Sequence, residues 1–168
     1  MAERALIVGA GSGLSAALAR RFEAAGLAVG LAARDTAKLG DLGAWRHAVD
    51  VADYAQVVHL FEAADREFGV ADIVVFNPSR RLRGPTLELD PEDVAVSLAV
   101  SAMGGFHVAQ QALGRMLDKG GGTLLFTGAS ASVKGYPGSA PFAMGKFALR
   151  GLAEIGRASC RERVSFTV

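Results

Sequence analysis

Two rhythms of apolar and polar positions alternate along the chain, and each predicts a kind of element. Ala5 to Val8 is an unbroken apolar run closed by Gly9, the pattern of a strand buried on both faces. Beyond the glycine-dense stretch Gly9, Gly11, Gly13, the residues Leu14, Leu18 and Phe22 recur every four positions and predict an amphipathic helix. Leu27 to Ala33 and Ala44 to Val49 predict a second and third strand. Asp53 to Phe68 predicts a helix with Val57, Phe61, Ala64 and Phe68 on one face and Asp53 as its N-cap. Ala71 to Phe76 is a fourth strand, apolar nearly throughout, and the polar, basic stretch 80–88 predicts a loop. Pro91 suits the first turn of a helix capped by Asp90. That pattern runs to about Asp118, with Phe106, Leu113 and Leu117 in register, a soft point at Gly104-Gly105 and a stop at Gly120 to Gly122. Thr123 to Thr127 predicts a fifth strand, and Pro141 to about Gly156 a last helix.

Five strands separated by helices predict an α/β fold, a doubly wound parallel sheet with right-handed crossovers, in one domain over 1–153. Such sheets bind ligands beyond the carboxyl ends of their strands. Gly9 to Gly13 follow the first strand, Arg34 the second, Asp50 the third, Asn77 the fourth and Ser130 the fifth. The first of these turns is the most telling. Glycines allow positive φ and put no Cβ between backbone and ligand, while the first N–H groups of the helix face outward. A pyrophosphate is the ligand that Gly9, Gly11, Ser12, Gly13 and Leu14 suit best, with an ordinary strand-to-helix loop as the plainer alternative.

Composition narrows the function classes. The 168 residues are 51% apolar and 21% charged, which is globular. With 18 Lys plus Arg against 17 Asp plus Glu, the net charge of +1 argues against a nucleic-acid surface or a polybasic membrane face. The single cysteine, Cys160, excludes an internal disulfide framework and a zinc cluster, and points to the reducing cytoplasm. No apolar run approaches membrane-spanning length, and Glu3, Arg4 and the glycines interrupt any signal-peptide core. The three histidines, at 47, 59 and 107, lack ligand spacing and fit packing or surface roles.

Taken together, the strand-end residues resemble the short-chain dehydrogenase/reductase family over residues 4 to about 153. The resemblance implies a Rossmann-like sheet, NAD or NADP as cofactor, and a small-molecule carbonyl or alcohol as substrate. In the family's glycine motif Gly9 and Gly13 match, while Ser15 stands where the family has a third glycine and adds a Cβ there. Arg34 falls where NADP-preferring members place a basic residue against the ribose 2′-phosphate, which a guanidinium can bind bidentately. A solvated surface arginine is the alternative. NADP(H) is accordingly favoured over NAD(H), whose binders carry an acid at this strand end; here Asp35 comes one residue later. Asp50-Val51 resembles the pair that contacts the adenine, and Asn77 matches one asparagine of the family's strand-end turn, although Phe76, Pro78 and Ser79 depart from it.

The catalytic pattern is where the resemblance breaks. The family uses Asn, Ser, Tyr and Lys, the last two one helical turn apart, so that the lysine lowers the phenol's pKa and holds the ribose. This chain reads Phe-Ala-Met-Gly-Lys: Lys146 is present, and Phe142 stands at the tyrosine position. The serine position falls on Ala129, with Ser130 beside it, and the asparagine position on Ser101. Phenylalanine cannot move a proton, and losing such help typically costs about 10² to 10⁴ in rate. Tyr136 or Ser130 could substitute, or be a loop aromatic and a turn hydroxyl. The stretch around Phe142 resembles a subgroup of the family with phenylalanine at this place.

After Ala153 the sequence departs again. Residues 154–168 resemble a translated sequencing-library adaptor more than the family's sixth strand, so a non-native tail is expected, with a short basic tail as the alternative. On that reading the final strands are missing, the fifth strand has an unpaired edge, and Phe147, Leu149 and Leu152 lack cover, which predicts poor solubility. For an intact relative the two long helices would form a homo-oligomer interface. Two functions remain open: an NADP(H)-dependent oxidoreductase, or a catalytically silent nucleotide-binding protein or fragment.

Overall fold

The first apolar run lies in the middle of the sheet. In the computed structural model, which describes residues 2–159 and 164–168, β1 (Arg4–Val8) pairs in parallel with β2 (Ala28–Ala33) on one side and β4 (Ile73–Phe76) on the other. With β3 (Trp45–Ala48), β5 (Gly122–Phe126) and β6 (Val164–Thr167) the strand order is β3-β2-β1-β4-β5-β6, every neighbouring pair parallel. Order reverses between β1 and β4, and that is where a doubly wound sheet opens its ligand crevice.

Period-two alternation builds the two cores. Leu6 and Val8 of β1, Val74 and Phe76 of β4, and Leu124 and Phe126 of β5 face one layer, formed by α2 (Tyr54–Glu67), α4 (Gly104–Lys119) and α5 (Ala140–Ser159). Ile7 and Val75 face the other, where α1 (Leu14–Ala24) contributes Ala19, Leu18 and Phe22. Each fully buried side chain of this size adds about 1.5–3 kcal/mol relative to exposure. The predicted caps form: Asp53 accepts from the Ala55 and Gln56 N–H groups, Asp90 accepts from Glu92, and Gly120 closes α4 at φ +105. Of the predicted α2 face, Val57, Phe61 and Ala64 are buried. Two of the three histidines pack and one is on the surface: His47 stacks on Trp45, His107 Nδ1 lies 3.0 Å from the Val51 carbonyl, and His59 is exposed.

Two expectations change. The long helix predicted from Pro91 is two helices, α3 (Pro91–Leu98) and α4, joined by one wide, π-type turn over Ala99–Met103. The glycines mark its end because space demands them: a Cβ on Gly104 would stand 2.7 Å from Val51 Cγ2, and one on Gly105 2.3 Å from Leu149 Cδ2. The second change concerns the fifth strand. It is not an edge. β6 pairs along it from Gly122↔Val164 to Leu125↔Thr167, so the sheet has six strands rather than five. Helix α5 runs on to Ser159, and the β-prone Val-Ser-Phe-Thr segment then takes up the free N–H and C=O groups of β5. Val164, Leu149 and Ala153 are in the core, which removes the premise of poor solubility from an open edge; Phe147 alone of the three helix residues stays 45% exposed. Cys160 lies at 160–163, outside the described residues.

Candidate cofactor and active site

The ends of four strands, β1 to β4, converge on a cleft of about 290 Å³ lined by Gly9, Ala10, Arg34, Asp50, Val51 and Asn77 among others. At its base the Gly9 and Ala10 N–H groups bond the Ala32 carbonyl at the end of β2. Gly9 has φ +80, and a Cβ there would stand 2.5 Å from the Pro78 nitrogen, so the position admits only glycine. Gly11 and Gly13 differ: a Cβ on either meets nothing within 4 Å. Their bareness is not for packing. It leaves open space above the turn, where α1 begins with no side chain capping its first N–H groups. A chain that leaves those donors uncapped above bare backbone has the geometry of an anion cradle. Ser12 and Leu14 are exposed beside it; Ser12 lines a separate shallow depression with Arg20 and Lys38.

Ser15, the departure from the glycine motif, fits the turn. It is buried, donates its hydroxyl to the Gly9 carbonyl at 3.2 Å and accepts Asn77 Nδ2 at 2.9 Å. Asn77 also donates to the Gly9 carbonyl at 3.2 Å. The carboxamide and hydroxyl thus fix the turn in place of a close glycine contact.

Arg34 and Asp35 have separate tasks. Asp35 turns away to cap the short 3₁₀ turn Thr36–Leu39 through the Ala37 N–H and pairs with Lys38 at 3.0 Å. The Lys38 and Ala37 hydrogen bonds hold its carboxyl below the usual range. Arg34 is exposed and lines the cleft. Asp50 accepts the Ala52 N–H at 3.0 Å while its own N–H bonds Gln56 Oε1, which presents Asp50-Val51 along the same wall.

The catalytic-side positions come together around α5. Lys146 is buried at 3% exposure, with Nζ 2.5 Å from the Thr127 carbonyl and 5.8 Å from the Phe142 ring centre. Burial pushes its pKa down, and the Arg81 guanidinium pushes the same way. Ser101 sits buried in the wide turn beside Gly145, whose Cβ would come within 2.8 Å of Ser101 Cβ; its hydroxyl accepts the Arg80 N–H at 3.4 Å. The Ala129 N–H bonds Ser132 Oγ. Ser130 is exposed and lines a second cavity of about 350 Å³ with Phe142, Tyr136, Arg81 and Arg83.

Tyr136 therefore shares a cavity wall with Phe142, which their separation in sequence did not indicate. The arginines were missed too. Their signal was available: Arg80 to Arg83 follow directly on β4, at the carboxyl ends where this sheet class binds ligands. Among the described residues no cluster could hold a metal ion, and no helix is long and apolar enough to cross a membrane.

Comparison with known proteins agrees with this geometry. The sequence signature of short chain dehydrogenases matches residues 3–166. The D-threitol dehydrogenase of Mycolicibacterium smegmatis is 33% identical over 160 residues, which cover 90% of this chain and 62% of that protein. The chain thus spans less than two thirds of that curated relative's length. A gluconate 5-dehydrogenase from Burkholderia cenocepacia, solved in complex with NADP and tartrate, superposes with a TM-score of 0.90 at 29% identity, covering 98% of this chain and 68% of that one. An actinorhodin polyketide ketoreductase solved with NADPH gives 0.92 at 26%, with the same coverage. Fold, strand-end residues and sequence signature agree: the chain belongs to the short-chain dehydrogenase family.

Proposed function

We propose that this chain binds NADP(H) and serves an oxidoreductase that interconverts a small carbonyl compound and its alcohol. The observation that carries the reading is the open turn at Gly11 and Gly13 under the uncapped start of α1, which suits a diphosphate. Arg34 in the same cleft, with Asp35 committed to a cap and to Lys38, supports NADP over NAD. NADP and NADPH in the two structural relatives support it as well.

The nicotinamide, when bound, supplies the hydride chemistry. The chain's own residues do the rest. The glycine turn and α1 hold the diphosphate, Asp50 and Val51 form the adenine wall, and Asn77 keeps the turn in shape. Lys146 offers a buried amine held at the Thr127 carbonyl, suited to orienting a ribose hydroxyl. Phe142 gives its neighbours an apolar face and no proton. Ser130 and Tyr136 are the hydroxyls of the substrate-side cavity. A second reading, a nucleotide-binding protein without catalysis, is favoured by Phe142, which stands at the tyrosine position and carries no proton to transfer. Exposed Phe106 and Phe147 on the long helices, with Met103 in the wide turn, fit a homo-oligomer contact.

The test is a fluorescence titration of NADPH and NADH. NADPH is expected to bind at least about tenfold tighter, the order of one charged contact, and Arg34→Asp to remove that preference. Equal affinities in the parent chain, or no NADPH binding at all, overturn the reading.

A further inference from the structure

The loop after β4 carries Arg80, Arg81 and Arg83, and the three are treated differently. Arg80 holds the loop down: its guanidinium pairs with Asp93 at 2.7 Å, its carbonyl accepts the Ser97 hydroxyl at 2.9 Å, and its N–H reaches Ser101. Arg81 and Arg83 are paired with no carboxylate among the described residues. Being two apart in a stretch without helical structure, they can share a side of the chain, and both line the 350 Å³ cavity. Arg81 lies over the Phe142 ring, its Cζ 5.0 Å from the ring centre, and among the described residues its guanidinium makes no hydrogen bond. A backbone bond from the Gly84 N–H to the Gly138 carbonyl ties the loop to the segment that brings Tyr136 and Ser139 to the opposite wall. Among the described residues no carboxylate lines the cavity, while Lys134 Nζ stands 4.9 Å from the Tyr136 ring centre and Lys146 Nζ 5.8 Å from that of Phe142.

From this arrangement we infer that the cavity beside Phe142 is an oxyanion subsite, which selects small carbonyl or alcohol substrates bearing a carboxylate or phosphate. Unpaired guanidiniums on an anchored loop are poised for fork-like recognition of either group, and no carboxylate among the described residues lines the cavity to compete for them. The size fits a metabolite. As an account of substrate class the inference rests on the oxidoreductase reading; as an account of anion binding it stands apart from it.

Calorimetric titration of the full chain tests it, with malonate, its neutral analogue malonamide, and inorganic phosphate as probes. Malonate or phosphate is expected to bind, the tighter of the two identifying the kind of anion, and malonamide to bind at least tenfold more weakly. Arg83→Gln and Arg81→Gln should each weaken the anion tenfold or more, with Arg81→Lys between Arg81→Gln and the parent. Equal affinity for malonate and malonamide overturns the proposal on the parent chain alone, whether or not the variants fold. So does anion binding that persists in the double Gln variant, which would belong to the glycine turn. NADPH titrated separately keeps the two readings apart: its failure to bind sinks the cofactor reading and leaves the malonate result decisive for the subsite.

Discussion

Replacing Gly9 and Gly11 by alanine, one at a time, separates the two tasks of a single turn. At position 9 the added methyl faces two obstacles. The residue must keep φ +80, and its Cβ would stand 2.5 Å from the Pro78 nitrogen and 2.6 Å from Cδ, atoms fixed in backbone and ring. Left-handed backbone at a non-glycine residue and overpacking together cost about 2–5 kcal/mol. For a domain of this length that lowers the melting temperature by roughly 5–20 °C. At position 11 neither obstacle exists: a Cβ meets nothing within 4 Å, and φ lies outside the left-handed region. Gly11→Ala therefore keeps the parent melting temperature, or gains up to about 1 kcal/mol because the unfolded chain loses freedom.

Cofactor binding inverts that order of tolerance. The methyl of Gly11→Ala stands in the space that a diphosphate would take, and losing one backbone contact to a charged group costs about 1.5–3 kcal/mol, roughly tenfold to a hundredfold in NADPH affinity. Circular dichroism melts and NADPH fluorescence titrations on the same samples read both effects. A Gly11→Ala chain that melts as early as Gly9→Ala, or binds NADPH as well as the parent, refutes the division of labour.

Lys146 should leave a signature in the pH dependence of stability. Its folded-state pKa lies below the ordinary 10.5, so between those two values the unfolded chain holds a proton the native chain has shed, and stability rises with pH there. Lys146→Met removes that slope; denaturant midpoints of parent and variant that run parallel through the alkaline range contradict it. Phe142→Tyr restores a phenol one helical turn from Lys146 and should raise NADPH oxidation across a panel of small oxo acids by about 10² to 10⁴. An unchanged rate would show that the serine and asparagine positions, Ala129 and Ser101, are what limits turnover.

How far the sequence could be followed depended on whether a feature was local. Caps at Asp53 and Asp90, the stop at Gly120 and the strand runs were legible because each rests on residues within one turn of each other. So was the gathering of Gly9, Arg34, Asp50, Val51 and Asn77 around one cleft, since a parallel sheet carries all its strand ends to one side and the order of residues after strands gives the wall directly. What escaped depends on neighbours distant in the chain. The wide turn at Ala99–Met103 leads into Gly104 and Gly105, which leave room for Val51 of the β3–α2 loop and Leu149 of α5. Ser15 looked like a loss until Asn77, 62 residues away, supplied a donor for its hydroxyl. β6 was unexpected because its residues are unlike the family's, whereas pairing on β5 needs only an extended backbone of β-prone composition. The substrate side follows the same rule. Arg81 and Phe142 are 61 positions apart, and only the fold shows that the guanidinium lies over the ring at the tyrosine position, its Cζ 5.0 Å from the ring centre. That substitution changes what the site can favour: a phenol gives a proton to a forming alkoxide, whereas a guanidinium stabilises an anion already there. On the proposed reading, Phe142 and the two arginines act on one cavity, and a substrate that brings its own charge is the one such a cavity would favour.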